Sequence, residues 1–183
     1  RQMRRVVGPS FVDVWGAVES LSADKAAAFA KYRALLTDDA LAKGNVQNGR
    51  AIYERTCMVC HKLYGNGGEI GPDITGSNRA DLDYILENIL NPSGEIPEGY
   101  QLLLVTTRGG QTLAGTLASE SEQQLVLRVV GLPPVTLAKS EIQSRETIPT
   151  SMMPEGLLAS LQDEDVIDLI TYLRSTKQVA KPE

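Results

Sequence analysis

The sequence predicts a mainly helical domain interrupted by a β insertion, an α+β fold with a small five-stranded antiparallel sheet or SH3-like barrel between helices. Three observations lead there. Apolar residues recur at helical spacing up to residue 90 and again from residue 166. Between them, residues 99–149 break into short stretches rich in Val, Leu, Ile and Thr, separated by turn residues. Glycine and proline crowd residues 65–76, which makes that stretch a loop.

The elements follow in order. Residues 1–44 read as a helical extension to a main domain over 45–183. Phe11, Val14, Trp15 and Val18 share one face of a first helix, and Ser22 caps a second over 26–36, built from strong helix formers. Asp38-Asp39 and Lys43-Gly44-Asn45 punctuate. A short helix over 46–56, capped by Asn45, runs directly into Cys57. Leu82, Ile85, Leu86, Ile89 and Leu90 give the next helix its apolar face, with Asn78 as cap and Asn91-Pro92 as stop. Strands are expected at 100–107, 112–118, 124–130, 135–138 and 142–148. The last helix carries Val166, Leu169, Ile170 and Leu173 on one face, behind the acidic start Asp163-Glu164-Asp165, which suits a helix N-terminus.

Composition excludes several classes. At 42% hydrophobic and 22% charged, the 183 residues are globular rather than disordered. No apolar run is long enough to span a bilayer. A net charge of -5 with a pI near 5.0 argues against nucleic acid as a partner, since phosphate binding needs a basic face. Aromatic residues are only 5%, thin for a core of this length, and a bound apolar cofactor would complete it. The basic start Arg1-Gln2-Met3-Arg4-Arg5 is followed by no apolar stretch, so no signal peptide is expected and the chain reads as a mature piece or an excised domain.

The chemistry is concentrated in five residues. Both cysteines and the one histidine of the chain fall in Cys57-Met58-Val59-Cys60-His61, the C-x-x-C-H pattern of c-type haem attachment. Two thiols three residues apart on a bent turn can both add to haem vinyl groups, which places the adjacent imidazole under the iron. Zinc needs about four ligands, more than these residues offer. A thioredoxin-like pair belongs with a βαβ pattern, and a helix precedes this one. Two inert core cysteines are the remaining alternative. A sixth ligand to iron is needed for electron shuttling, and Met raises the potential. Met58 lies inside the attachment loop and Met3 in the terminus, which leaves Met152 or Met153, before Pro154. A ligating imidazole normally donates its other N–H to a carbonyl. Pro72, in the Gly71-Pro72 step, is placed to accept it, although Gly-Pro also simply makes turns.

These residues resemble class I c-type cytochromes. A helix carrying Gly49 and Tyr53 enters the attachment motif. Gly71-Pro72-Asp73-Ile74-Thr75-Gly76 looks like the loop whose proline carbonyl receives the proximal imidazole proton. Met153-Pro154 looks like the distal ligand loop, and the helix with Leu169 and Tyr172 looks like the C-terminal helix that crosses the first at Gly49. The resemblance implies a cytochrome c-like helical haem fold with one covalent haem c, Cys57 and Cys60 as anchors, and His61 and Met153 as axial ligands. Met152 is the alternative to Met153. It departs from small cytochromes in the long separation of His61 from Met153, the excess being residues 99–149. An insertion there is similar to the haem-binding domain of planctomycete and verrucomicrobial proteins, which closes very large multidomain chains. That likeness implies that residues 1–44 end a preceding domain.

The function expected is electron transfer rather than enzymatic turnover, or the electron-transfer domain of a larger redox enzyme. The alternative is a haem enzyme or gas sensor, peroxidase-like, with a labile or open distal site. No second His is available for it, and Arg79, Arg108, Arg128 or Tyr100 would have to substitute. The expected partner is a redox protein or an upstream dehydrogenase domain. The insertion is a docking surface, a dimer interface or a cover over the haem edge. Thioether haem is assembled outside the cytoplasm in bacteria, so the resemblance implies a periplasmic or other extracytoplasmic site.

Overall fold

The computed structural model describes residues 22–181. The helix expected around Phe11–Val18 lies outside them. The described residues form five α-helices, a two-stranded ladder and a five-stranded antiparallel sheet.

Helix α1 (Ala23–Leu35) opens on Ser22, whose hydroxyl accepts from the Lys25 N–H. A helix absent from the sequence reading follows, α2 (Asp38–Lys43), capped by Thr37 through the Ala40 N–H. Six residues are too few for periodicity to show, and Asp38-Asp39 is its acidic first turn rather than a break. Helix α3 (Val46–Thr56) is capped by Asn45, whose side chain accepts from the N–H groups of Gln47 and Asn48. Helix α4 (Leu82–Leu90) starts on Asp81, not Asn78: the Asp81 carboxylate accepts from Asp83 and Tyr84 N–H. A charged acceptor three residues nearer the apolar face outcompetes the amide for the helix N-terminus. Helix α5 (Asp163–Leu173) ends the described fold.

Within the glycine-rich loop a minimal hairpin forms, β1 (Lys62–Leu63) against β2 (Asn66–Gly67). Its two turn residues, Tyr64 and Gly65, both have positive φ, 52° and 79°, as a tight hairpin requires. The insertion builds β3 (Leu102–Thr107), β4 (Thr112–Glu120), β5 (Gln124–Arg128), β6 (Val135–Ala138) and β7 (Ile142–Ile148) in the order β6-β5-β4-β3-β7. A 3-10 turn, Lys139–Glu141, returns the chain from β6 to β7. β4 pairs with β3 up to Gly115 and with β5 from Thr116, with a register shift between Leu117 and Ser119, so it bends from one partner to the other. Its lower end alternates in burial, Leu113 in and Ala114 out, as one face of a half-buried sheet should.

Two apolar cores result. The helical core joins Tyr32 and Leu36 of the α1 region, Leu41 of α2, Ile52 and Tyr53 of α3, Leu86 of α4 and Val166, Leu169, Ile170 and Tyr172 of α5. The sheet has its own, around Leu103, Val105, Leu125 and Leu127. Each fully buried Leu or Ile contributes about 1.5–3 kcal/mol. The helical core turns on the crossing of α3 and α5, where the Tyr53 and Tyr172 rings meet at 5.5 Å and 54°.

Gly49 makes that crossing. A Cβ there would lie 1.9 Å from the Asp168 carbonyl oxygen and 2.8 Å from Tyr172 Cβ. The Asp168 carboxylate meanwhile accepts from Asn45 N–H at 2.6 Å and Asn48 Nδ2 at 2.8 Å, tying the start of α3 to the middle of α5. Helix propensity alone favours Ala over Gly by about 1 kcal/mol. The backbone contact reverses that sign, and Gly49→Ala is expected to cost about 3 kcal/mol, at the upper end of overpacking losses. Urea unfolding checks it, by a fall in the midpoint with unchanged slope.

Candidate functional site

The end of α3 sets the site. Its last turn unwinds through Cys57, and the Cys60 and His61 N–H groups both bond back to the Cys57 carbonyl, at 3.1 and 2.9 Å. That bend brings two thiols and an imidazole onto one turn. Both thiols are free and partly buried. Burial, reinforced by the neighbouring Cys60, pushes the Cys57 thiol up to about 12, and burial raises Cys60 as well, so both are protonated at neutral pH. Met58 packs against the helical core and is thus committed elsewhere.

His61 is held on three sides. Its Nδ1 lies 2.9 Å from the Pro72 carbonyl oxygen. That partner only accepts, so Nδ1 carries a proton, and in the neutral ring the lone pair sits on Nε2. Nε2 makes no hydrogen bond among the described residues. Gly71 lies flat against the ring: a Cβ on it would stand 2.5 Å from His61 Cε1 and 3.0 Å from Nε2. The His61 carbonyl receives the Tyr53 hydroxyl at 2.7 Å, and burial raises the pKa of that phenol well above its usual range, which keeps it a donor.

The loop behind the imidazole is pinned in turn. Gly71 N–H donates to the Cys60 carbonyl at 2.8 Å and Ile74 N–H to Lys62 at 2.9 Å. The Asp73 carboxylate accepts from Thr75 N–H at 2.8 Å, and hydrogen bonding from the Thr75 side chain first, then from this N–H, lowers its pKa. Arg79 closes the far end. It donates to the carbonyls of Ile74 at 2.8 Å, Thr75 at 2.9 Å, Ser175 at 2.9 Å and Leu173, and to the Tyr64 hydroxyl. One guanidinium therefore caps the end of α5 and fixes the loop that carries Pro72. Nothing in the sequence singles out this role, because its acceptors are backbone carbonyls up to 96 residues away.

Met152 and Met153 are half-buried in the loop after β7. Met153 N–H donates to Ser151 Oγ at 3.1 Å, and Ser151 N–H to Ser93 Oγ at 3.0 Å, which ties the loop to the segment after α4. Lys25 of α1 adds a second tie, with its ammonium 2.7 Å from Glu155 and 2.9 Å from Asn91 Oδ1, the C-cap of α4. Among the other expected candidates, Arg108 donates to the Ser140 carbonyl, and Arg128 donates to the Leu117 carbonyl while lying over Tyr100.

Among the described residues, no group of three or more His, Cys, Asp or Glu could hold a metal ion. The donor set instead fits a covalently attached haem: two thiols on one turn, and an imidazole whose free nitrogen is fixed in direction by a proline carbonyl. The comparisons agree. The chain matches the family model for cytochrome c over residues 46–177 and belongs to that family. Membership implies a covalently bound haem c and an electron-transfer role. The chain is also similar to a cytochrome c-553-like protein of Synechocystis, 38% identical over 56 residues, which is 30% of this chain and 50% of the relative. The chain thus spans half the length of the curated relative it matches.

Replacing Gly71 by Ala forces the imidazole off the Pro72 carbonyl. The expected result is a holoprotein with markedly lower haem content and about 1–3 kcal/mol less stability. The pyridine haemochrome yield per chain and a urea titration read both.

Proposed function

We propose that this chain is a one-electron carrier with a single low-spin haem c, anchored at Cys57 and Cys60 and held axially by His61 and Met153. The observation that carries the reading is the imidazole clamp: His61 Nδ1 at 2.9 Å from the Pro72 carbonyl, with Gly71 against the ring and Nε2 left to ligate. A single haem follows from a single C-x-x-C-H motif and a single His. When bound, haem c supplies an Fe(III)/Fe(II) couple near the protein surface.

The chain's own residues keep that couple's surroundings constant. Pro72 fixes the tautomer and angle of the proximal ligand. Tyr53 and Arg79 hold the two strands of backbone on either side of it. Ser93, Ser151 and Lys25 fix the loop that presents Met153, the distal ligand by virtue of the proline that follows it. These contacts would keep the groups around a bound haem in place on a change of iron charge, which is what rapid electron exchange needs. The peroxidase-like alternative finds no support in the arginines it would recruit. Arg79, Arg108 and Arg128 all spend their guanidinium groups on backbone carbonyls.

The extended reading is of the same kind. The strand order with a 3-10 turn before β7 suits an SH3-like curvature of the insertion, and an inserted sheet suits the planctomycete and verrucomicrobial type of haem domain. Assembly of thioether haem places the protein outside the cytoplasm in bacteria, with a redox protein or a linked dehydrogenase domain as partner. No described helix is long and apolar enough to cross a membrane.

Met153→Ala is expected to lower the midpoint potential, abolish the ferric sulfur-to-iron charge-transfer band and admit carbon monoxide to the ferrous iron, while Met152→Ala changes none of these. The reverse pattern assigns Met152 as the ligand. No change in either variant removes methionine ligation altogether.

A further inference from the structure

The β insertion meets the glycine-rich loop through a hydrogen bond made by a buried threonine. Thr116 is 1% exposed and is the only buried polar or charged residue among those described. It sits at the corner of the sheet, where β4 leaves β3 and takes up β5. Its hydroxyl donates to the Ile70 carbonyl at 3.1 Å, 46 residues back in the chain. The residue beside it, Gly115, lets β4 press on the neighbouring chain: a Cβ there would stand 2.4 Å from the Arg128 carbonyl oxygen.

Ile70 begins the step that matters most to His61. The next residue, Gly71, lies against the imidazole and donates its N–H to Cys60. The one after, Pro72, accepts from Nδ1. Thr116 is buried, so its hydroxyl needs a partner within the protein, and the Ile70 carbonyl is that partner. The contact therefore fixes where residues 70–72 stand relative to the ring. Beside it, Arg128, opposite Thr116 in the β4–β5 ladder, lines an open polar cleft of about 240 Å³ with Tyr100, Gly68 and Gly71, so the sheet faces the loop at this end.

We propose that Thr116 is a positioning residue, and that the inserted sheet acts through it as a brace on the Ile70–Gly71–Pro72 backbone, setting the strength of the Pro72–His61 hydrogen bond. The inference rests on the reading of His61 as the proximal ligand. A firm acceptor at Nδ1 makes the imidazole a stronger donor to iron and favours the ferric state. Slackening the brace weakens that hydrogen bond and raises the midpoint potential.

The test uses the holoprotein with Thr116→Val, which keeps the shape and β propensity but removes the donor, and Thr116→Ser, which keeps the hydroxyl. Midpoint potential and hydrogen exchange at the Gly71 amide are read on both, with the haemochrome spectrum taken on the same samples. Val is expected to raise the potential and speed Gly71 exchange several-fold, and Ser to restore both toward the parent values. Should Val fail to give folded protein, Thr116→Ala carries the same expectation. Unchanged potential and exchange in the variant lacking the hydroxyl overturn the brace, as does an equal shift in Val and Ser, which would assign the effect to packing. A parent chain without covalent haem overturns the underlying reading of His61 instead, and the haemochrome spectrum reports that separately.

Discussion

An imidazole turns freely about two bonds unless something stops it, and for the iron ligation proposed here it must not turn. At His61 the stop is a single hydrogen bond, Nδ1 to the Pro72 carbonyl at 2.9 Å, made rigid because proline fixes its own φ and because Gly71 leaves no space between backbone and ring. Much of the described structure serves that contact. α3 delivers the histidine, and the glycine-rich loop delivers the carbonyl. The crossing of α3 over α5 at Gly49 gives both a common foundation.

The supports reach the contact from separate parts of the chain. Arg79 joins the loop to the end of α5 through four carbonyls, and Tyr53 holds the His61 carbonyl from inside the helical core. On the other side, α1 belongs to the same core through Tyr32, and its Lys25 reaches both Asn91 and Glu155, close to the methionine pair. The helical segment before Asn45 is thus packed into the domain that carries the site. Its contacts are mostly apolar, with the exposed ion pairs Lys31–Asp163 and Arg33–Asp83 adding little.

What the sequence made legible was local. The Cys57–His61 motif and the helix face of Val166 to Leu173 are written in spacing, and Asn45 caps α3 because a short acceptor stands just before a helical run. The strands come close for the same reason, with β6 and β7 where β-branched residues and turns put them and β4 running two residues past its expected end. The failures are of two kinds. Neighbouring caps compete, so Asp81 displaced Asn78, and six-residue α2 was too short to show a period. The roles of Gly71, Arg79 and Thr116 depend on partners brought up by folding, and no pattern along the chain encodes them.

The central claim is that one porphyrin is bonded to Cys57 and Cys60. Protein matured in a bacterium with haem-attachment machinery, then denatured in alkaline pyridine and weighed intact, tests it most directly. The account predicts a reduced haemochrome spectrum of the two-thioether type and a mass equal to the polypeptide plus one haem. A colourless product with the mass of the bare chain contradicts it.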